Sequence, residues 1–90
     1  MKKTLEDLRK EIDSADEELI NILAKRFAIV REIGKLKLEQ QKNPLDEKRW
    51  QEVIGKVITK AKKQEISEEL IKKIYEEIHN AALLLEKTYE

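Results

Sequence analysis

The sequence predicts an all-α protein with three helices per chain, the first of them very long. Its 90 residues contain only two glycines and one proline, so few positions interrupt a helix. Apolar residues recur at alternating intervals of four and three, the spacing of one helix face. Residues that commonly cap helices precede each of these stretches. We therefore expect a single helical domain over residues 1–90.

The first helix is predicted to begin at Thr4, because an acidic residue three positions later is typical of a capping box. Nothing interrupts the helical pattern before the polar segment 39–44. The apolar seam of this helix consists of Leu8, Ile12, Ala15, Leu19, Ile22, Ile29 and Ile33.

Two shorter helices are predicted after Pro44. Asp46 is a candidate N-cap of the second helix, which is expected to end near Lys63. Ser67 can cap the third helix, which continues towards the C-terminus. One stripe of the second helix carries Trp50, Val53, Val57 and Ala61, and the apolar positions of the third are Leu70, Ile74, Ile78, Ala81 and Leu85.

The length of the first helix predicts an intertwined homodimer. A helix from about Thr4 to Gln40 extends for about 54 Å at 1.5 Å per residue. A compact domain of this size has a diameter of about 30 Å. The apolar seam therefore needs cover from another chain, and a two-fold dimer is the simplest closed arrangement.

Composition excludes several classes of function. Nineteen basic and nineteen acidic residues cancel and are interspersed, so we expect no nucleic-acid partner. No apolar run approaches the roughly 18 residues of a membrane span, and no signal sequence follows the first residues, so a cytoplasmic location is expected. Cysteine is absent, and the 42% of charged residues suggests a thermophilic source. The length predicts that any feedback control comes from a separate protein.

Two cations fall on the apolar seam. Arg26 lies between Ile22 and Ile29, and Lys37 follows Ile33 by four residues. A buried cation needs an anion nearby, so the alternatives are exposure at the bundle edge, an internal salt bridge to a glutamate, or an anionic ligand. Two cations on one stripe favour the ligand. They are about 16 Å apart along the helix axis, within reach of one small dianion through long side chains.

Arg9 lies one column over on the same helix and about 25 Å from Arg26. It cannot share a ligand with Arg26 of its own chain. The antiparallel helix of a partner chain could bring it there.

Residues 8–37, "LRKEIDSADEELINILAKRFAIVREIGKLK", resemble the first helix of the all-helical class of chorismate mutases. Asp46 and Arg49 meet that family's later D-x-x-R pattern, and the resemblance covers essentially the whole chain. The matching positions in the first helix are Arg9, Ile12, Asp13, Asp16, Leu23, Arg26, Gly34 and Lys37.

This resemblance implies a homodimer with two equivalent sites, each formed by three helices of one chain and an arginine of the other. The implied reaction is the Claisen rearrangement of chorismate to prephenate, on the route to phenylalanine and tyrosine. It requires no metal, no cofactor and no covalent intermediate. The protein has only to hold a compact conformer and to stabilise charge as the ether bond breaks.

The resemblance also assigns roles to residues. Arg26 and the partner chain's Arg9 would hold the two carboxylates of the substrate, because a guanidinium binds a carboxylate through two hydrogen bonds. Lys37 would donate to the ether oxygen. Asp46 and Arg49 would order the loop and the ring-hydroxyl end, and Asp46 can serve as a helix N-cap as well.

Glu86 stands where the family commonly has a glutamine that donates to the same ether oxygen as Lys37, although fungal members also carry glutamate. A carboxylate cannot donate, so Glu86 has to be protonated in the active form. Burial favours the neutral acid and Lys37 favours the carboxylate, and the sequence does not decide between them. We expect activity to fall as the pH rises from acid towards neutral.

Two further positions depart from the family pattern. Ala82 replaces a small polar residue that contacts a carboxylate, which removes one hydrogen bond. Trp50 replaces a glutamate that accepts from the ring hydroxyl, and an indole can only donate. We expect Trp50 to pack against the ring end of the ligand, with donation by its N–H as a secondary role.

Other polar and aromatic residues of the third helix are predicted to lie outside the site. His79, the single histidine, is expected to lie on another face and at the surface. Tyr75 and Tyr89 are expected to contribute packing.

Two alternative functions are open at this point. An isochorismate pyruvate-lyase shares the fold and much of the site, and its products are salicylate and pyruvate. The other alternative is a non-catalytic helical dimer that acts as an interaction or regulatory module. It would not explain the two cations on the apolar seam.

Overall fold

The computed structural model describes residues 2–88, which form three helices and no strand. Helix α1 spans Leu5–Glu39, α2 spans Glu47–Lys63 and α3 spans Glu68–Lys87. The predicted all-α class and the very long first helix are confirmed. Tyr89, predicted to contribute packing, lies outside the described residues.

All three helices begin at the predicted caps. The Thr4 hydroxyl accepts from the backbone N–H of Asp7, whose carboxylate accepts from the backbone N–H of Thr4. The Asp46 carboxylate caps α2 by accepting from the backbone N–H of Arg49 at 3.0 Å. The Ser67 hydroxyl caps α3 in the same way. Each cap satisfies an N–H that has no partner within its helix.

Helices α1 and α2 both end in Schellman motifs. After α1, Lys42 donates its backbone N–H to the Lys37 carbonyl at 2.8 Å, and Ile66 makes the equivalent bond after α2 at 2.9 Å. The residues in the left-handed conformation are Gln41, with φ 56°, and Glu65, with φ 58°. Glycine usually occupies this position, so its absence here leaves these helix ends without their usual sequence signal.

The molecule is elongated, with principal extents of 59 × 23 × 14 Å. Helix α3 packs against both α1 and α2. The N-terminal half of α1 extends away from this packed region, and every residue from 2 to 22 is exposed. None of the three helices of the described chain combines the length and hydropathy needed to cross a membrane.

The chain on its own has a thin core. Within residues 2–88, the helices bury only small apolar side chains, those of Val30, Ala61 and Ala82. The apolar seam of α1 stays open, and Ile12 and Ile22 keep 60% and 62% of their surface exposed. Such a wide apolar surface is typical of an interface with another chain.

Candidate active site

A cavity of about 350 Å³ lies between the C-terminal half of α1, the start of α2 and the last turns of α3. Its walls combine charged groups with apolar side chains such as Ile33 and Val53. Of the eight residues predicted to form the site, the structure brings seven to this cavity: Arg26, Lys37, Asp46, Arg49, Trp50, Ala82 and Glu86.

Helical spacing explains why these side chains meet. Arg26 and Lys37 are eleven residues apart, about three turns of α1, so they share one face. Asp46 and Trp50 are four apart at the start of α2. On α3, the buried Ala82 precedes Glu86 by four residues, and it presents only a methyl group to the cavity.

Lys37 is held between two acceptors. Its Nζ lies 2.7 Å from Glu86 Oε1 and donates to the Pro44 carbonyl oxygen at 2.6 Å. The internal salt bridge considered for a cation on the seam is therefore present at Lys37. An ammonium has three N–H donors, so one remains for a ligand in the cavity.

Glu86 is the buried charged residue of the described chain, with 8% of its surface exposed. The contact of Oε1 with Lys37 is a close ion pair, and no well-aligned hydrogen bond reaches that oxygen within residues 2–88. The expectation that Glu86 lies opposite Lys37 is thus met in the geometry of the free protein.

Arg26 has no carboxylate partner within residues 2–88. Its guanidinium carbon lies 5.9 Å from the centre of the Tyr75 ring, a cation–π contact. Tyr75 does not line the cavity in the described structure, in agreement with a packing role. Arg26 thus lines the cavity, and no acid within residues 2–88 pairs with its guanidinium.

Arg49 is exposed and only loosely held. Its Nη1 lies 3.4 Å from Glu52 Oε2, and both side chains are at least half exposed. Exposed pairs of this kind contribute little stability, about 0–1 kcal/mol. Arg49 can therefore reorient towards an anion at low cost.

Trp50 stacks on His79, with ring centres 4.1 Å apart and an angle of 15° between the rings. Both residues line the cavity and both are partly buried. The prediction that His79 lies at the surface on another face of α3 is wrong. His79 precedes Ala82 by three residues and Glu86 by seven, which is the spacing of one helix face, so helical periodicity could have revealed it.

Arg9, the eighth predicted residue, is not part of this cavity. It lies on the exposed N-terminal half of α1, away from the packed region. Three cations and two carboxylates of one chain thus line the cavity: Arg26, Lys37, Arg49, Asp46 and Glu86.

Fold and cavity together define an all-helical protein with a partly apolar pocket that three cations and two carboxylates line. The family model described as chorismate mutase type II matches residues 8–87. The chain therefore belongs to the chorismate mutase type II family.

Two curated relatives agree with this assignment. The chain is 34% identical over 86 residues to a bifunctional chorismate mutase/prephenate dehydratase of Aquifex aeolicus, a match that covers 92% of the chain and 24% of the relative. It is 54% identical over 35 residues to the T-protein of Haemophilus influenzae, covering 39% of the chain and 9% of the relative. The chain thus spans a quarter or less of the length of these relatives.

Proposed function

We propose that this chain catalyses the intramolecular Claisen rearrangement of chorismate to prephenate. The observation that carries the proposal is the meeting of Arg26, Lys37 and Arg49 at one cavity of about 350 Å³, in a chain of the chorismate mutase type II family. Chorismate is a small dianion with an apolar ring. Cations beside apolar walls complement both parts of it.

The reaction itself requires neither a nucleophile nor a metal. A carbon–oxygen ether bond of the substrate breaks while a carbon–carbon bond forms between two parts of the same molecule. No atom is exchanged with the protein. Catalysis then consists of holding the compact conformer and stabilising the negative charge that develops on the ether oxygen.

Lys37 is the group we assign to the ether oxygen. The ion-pair contact with Glu86 and the hydrogen bond to the Pro44 carbonyl hold the ammonium in place. Preorganised donors of this kind need no rearrangement during the reaction. Arg26 would bind a substrate carboxylate, and a protonated Glu86 would be a second donor to the ether oxygen.

We assign the remaining carboxylate to Arg9 of a second copy of the chain, in a homodimer. The exposed seam of α1 and the thin core of the single chain support a partner of this kind. A 35-residue α1 is long enough for its N-terminal half to reach the cavity of a two-fold related chain.

The test is an absorbance assay of chorismate loss with identification of the product. We expect prephenate from the wild type, and a loss of kcat/KM of at least about 100-fold in Arg26→Ala, which removes a charged donor from the site. Arg31→Ala is the matched control, because Arg31 is an exposed arginine of the same helix that does not line the cavity. Equal effects of the two substitutions would contradict the proposal.

Product identity separates this function from the alternatives. An isochorismate pyruvate-lyase releases salicylate and pyruvate from isochorismate. A non-catalytic dimer leaves chorismate unchanged, and its melting temperature does not rise when chorismate is added.

A further inference from the structure

The stacked pair of Trp50 and His79 has no part in the roles assigned so far to the ether oxygen and the carboxylates. Both rings line the cavity, and they come from different helices, α2 and α3. Their centres are 4.1 Å apart and nearly parallel. Two rings that carry polar nitrogens are therefore in contact at the wall of the cavity.

The hydrogen-bonding groups of these rings are unused in the free protein. Within residues 2–88, neither ring nitrogen of His79 makes a hydrogen bond, and the Trp50 side-chain N–H makes none. A neutral imidazole has one acceptor nitrogen in either tautomer, whereas an indole has only a donor. Partly buried polar groups normally have hydrogen-bond partners. This pair of rings can therefore bind one ligand group that both donates and accepts a hydrogen bond.

A hydroxyl is the ligand group that fits such a pair, because it donates one hydrogen bond and accepts others. Chorismate carries one ring hydroxyl, besides its two carboxylates and its ether oxygen. The cations of the cavity can bind the carboxylates and the ether oxygen, but they have no acceptor for a hydroxyl hydrogen.

We propose that His79 accepts the hydrogen of the substrate's ring hydroxyl, while the Trp50 N–H donates to the oxygen of the same hydroxyl. The inference rests on the proposed function. It makes His79 a substrate-binding residue, and the stacking contact would hold the two rings next to each other at the cavity wall.

Each of the two carboxylates at the cavity has a neighbour at one of its oxygens. The Asp46 Oδ1 atom accepts from the backbone N–H of Arg49, and Glu86 is in contact with Lys37. We favour His79 over these carboxylates because its ring is stacked on Trp50, so that an acceptor and the indole donor belong to one pair of contacting rings at the cavity.

The decisive experiment compares two substrates and two enzymes. The substrates are chorismate and an analogue in which hydrogen replaces the ring hydroxyl, and the enzymes are the wild type and His79→Phe. Phenylalanine can still stack on Trp50 but has no acceptor. We expect kcat/KM for chorismate to fall about three- to tenfold, as for the loss of one hydrogen bond, and kcat/KM for the analogue to stay unchanged.

Two further variants exclude a purely structural effect. His79→Gln loses the stacking ring but keeps an acceptor, so it should retain a preference for the hydroxylated substrate. The double variant Trp50→Glu, His79→Phe places an acceptor at position 50 in place of the one lost at position 79. It should recover the preference for the hydroxylated substrate. Circular dichroism and gel filtration show whether each variant is folded with the oligomeric state of the wild type.

An equal fall with both substrates, or no change with either, would overturn the role of His79 and leave the proposed function intact. A wild type that consumes chorismate at the same rate as buffer would overturn the proposed function, and the role of His79 with it.

Discussion

At the scale of single residues, the Lys37–Glu86 pair places an ammonium and a carboxylate in contact at the cavity. Glu86 is 8% exposed, and its Oε1 lies 2.7 Å from Lys37 Nζ. Removing one partner of a buried pair leaves the other charge without compensation, which usually costs about 3–5 kcal/mol. An unpaired charge at either position would therefore destabilise the fold, whatever the net contribution of the pair.

The protonation of Glu86 gives a prediction on pH. In the proposed mechanism only the protonated acid can donate a hydrogen bond to the ether oxygen. We expect kcat/KM of the wild type to fall as the pH rises from acid towards neutral. Glu86→Gln should give a flatter profile and exceed the wild type at neutral pH, because an amide donates at every pH.

Glu52→Gln is the control for this pH profile. Glu52 is an exposed acid of α2 that contacts Arg49 and does not line the cavity. Its profile should match that of the wild type. A wild-type kcat/KM that does not vary with pH would refute the requirement for a protonated Glu86.

At the scale of the helices, caps determine where the site residues are placed. The N-cap Asp46 fixes the first turn of α2, and that turn carries both Arg49 and Trp50. The N-cap Ser67 does the same for the first turn of α3, which is far from the cavity lining. The two caps therefore contribute comparable stability to their helices, but only the Asp46 cap positions residues of the cavity.

Substitution of these two caps separates stability from activity. Asp46→Ala and Ser67→Ala should each lower the free energy of unfolding by about 1 kcal/mol, because each leaves a helix N–H unsatisfied. Only Asp46→Ala should also reduce kcat/KM, because it releases the turn that carries Arg49 and Trp50. Denaturant unfolding and steady-state kinetics measure the two effects, and an equal kinetic loss in both variants would contradict this assignment.

The capping box of α1 gives a prediction on stability. The backbone N–H and then the hydroxyl of Thr4 hold the pKa of Asp7 below its ordinary value of 3.8. Because its pKa is lowered in the folded state, the charged Asp7 carboxylate stabilises the fold. This contribution is fully present above pH 3.8 and is lost as the pH falls through the pKa of Asp7 in the folded state.

Asp7→Asn tests this contribution. At neutral pH the variant should be less stable than the wild type, and the difference should shrink as the pH falls below 3.8. Urea unfolding at one fixed protein concentration measures it, since association would otherwise change the apparent stability. Glu6→Gln is the matched control, because it removes the charge of a first-turn acid that is outside the capping box. A difference between Asp7→Asn and wild type that is the same at every pH would argue against the capping role.

At the scale of the whole molecule, half of α1 has no packing partner in its own chain. The radius of gyration is 16.7 Å, against about 12 Å for a compact domain of this length. The residues of this exposed half include Arg9, the one predicted site residue that is away from the cavity. A second chain would cover the seam and complete the site at the same time.

Mixing two inactive variants tests this arrangement. Arg9→Ala and Arg26→Ala should each lose most activity when alone. In a heterodimer of the two, one site combines both substitutions and the other has both arginines. After subunit exchange, half of the dimers are mixed, so activity should return to about a quarter of the wild-type value.

Gel filtration should show dimers in every sample. A mixture that exchanges subunits and stays inactive would contradict a site shared between chains.

The sequence alone predicted the elements well because the relevant signals are local. Thr4, Asp46 and Ser67 are each recognisable from residues within one turn, and the structure confirms all three as caps. Arg26 and Lys37 could be placed on one face by counting along a single helix. The ends of α1 and α2 also agree with the predicted polar segment 39–44 and with Lys63, although Gln41 and Glu65 adopt the left-handed conformation without a glycine to mark it.

The sequence by itself thus determined three helices, their starts and a line of cations along an apolar seam, since helical periodicity depends on neighbours three and four residues away. Only the tertiary structure decided which side chains meet across helices. It brought Glu86 to Lys37 and stacked His79 on Trp50, contacts that depend on how α3 crosses α1 and α2. The angle and position at which two helices cross are determined by side-chain packing and loop geometry, which no pattern within one helix specifies.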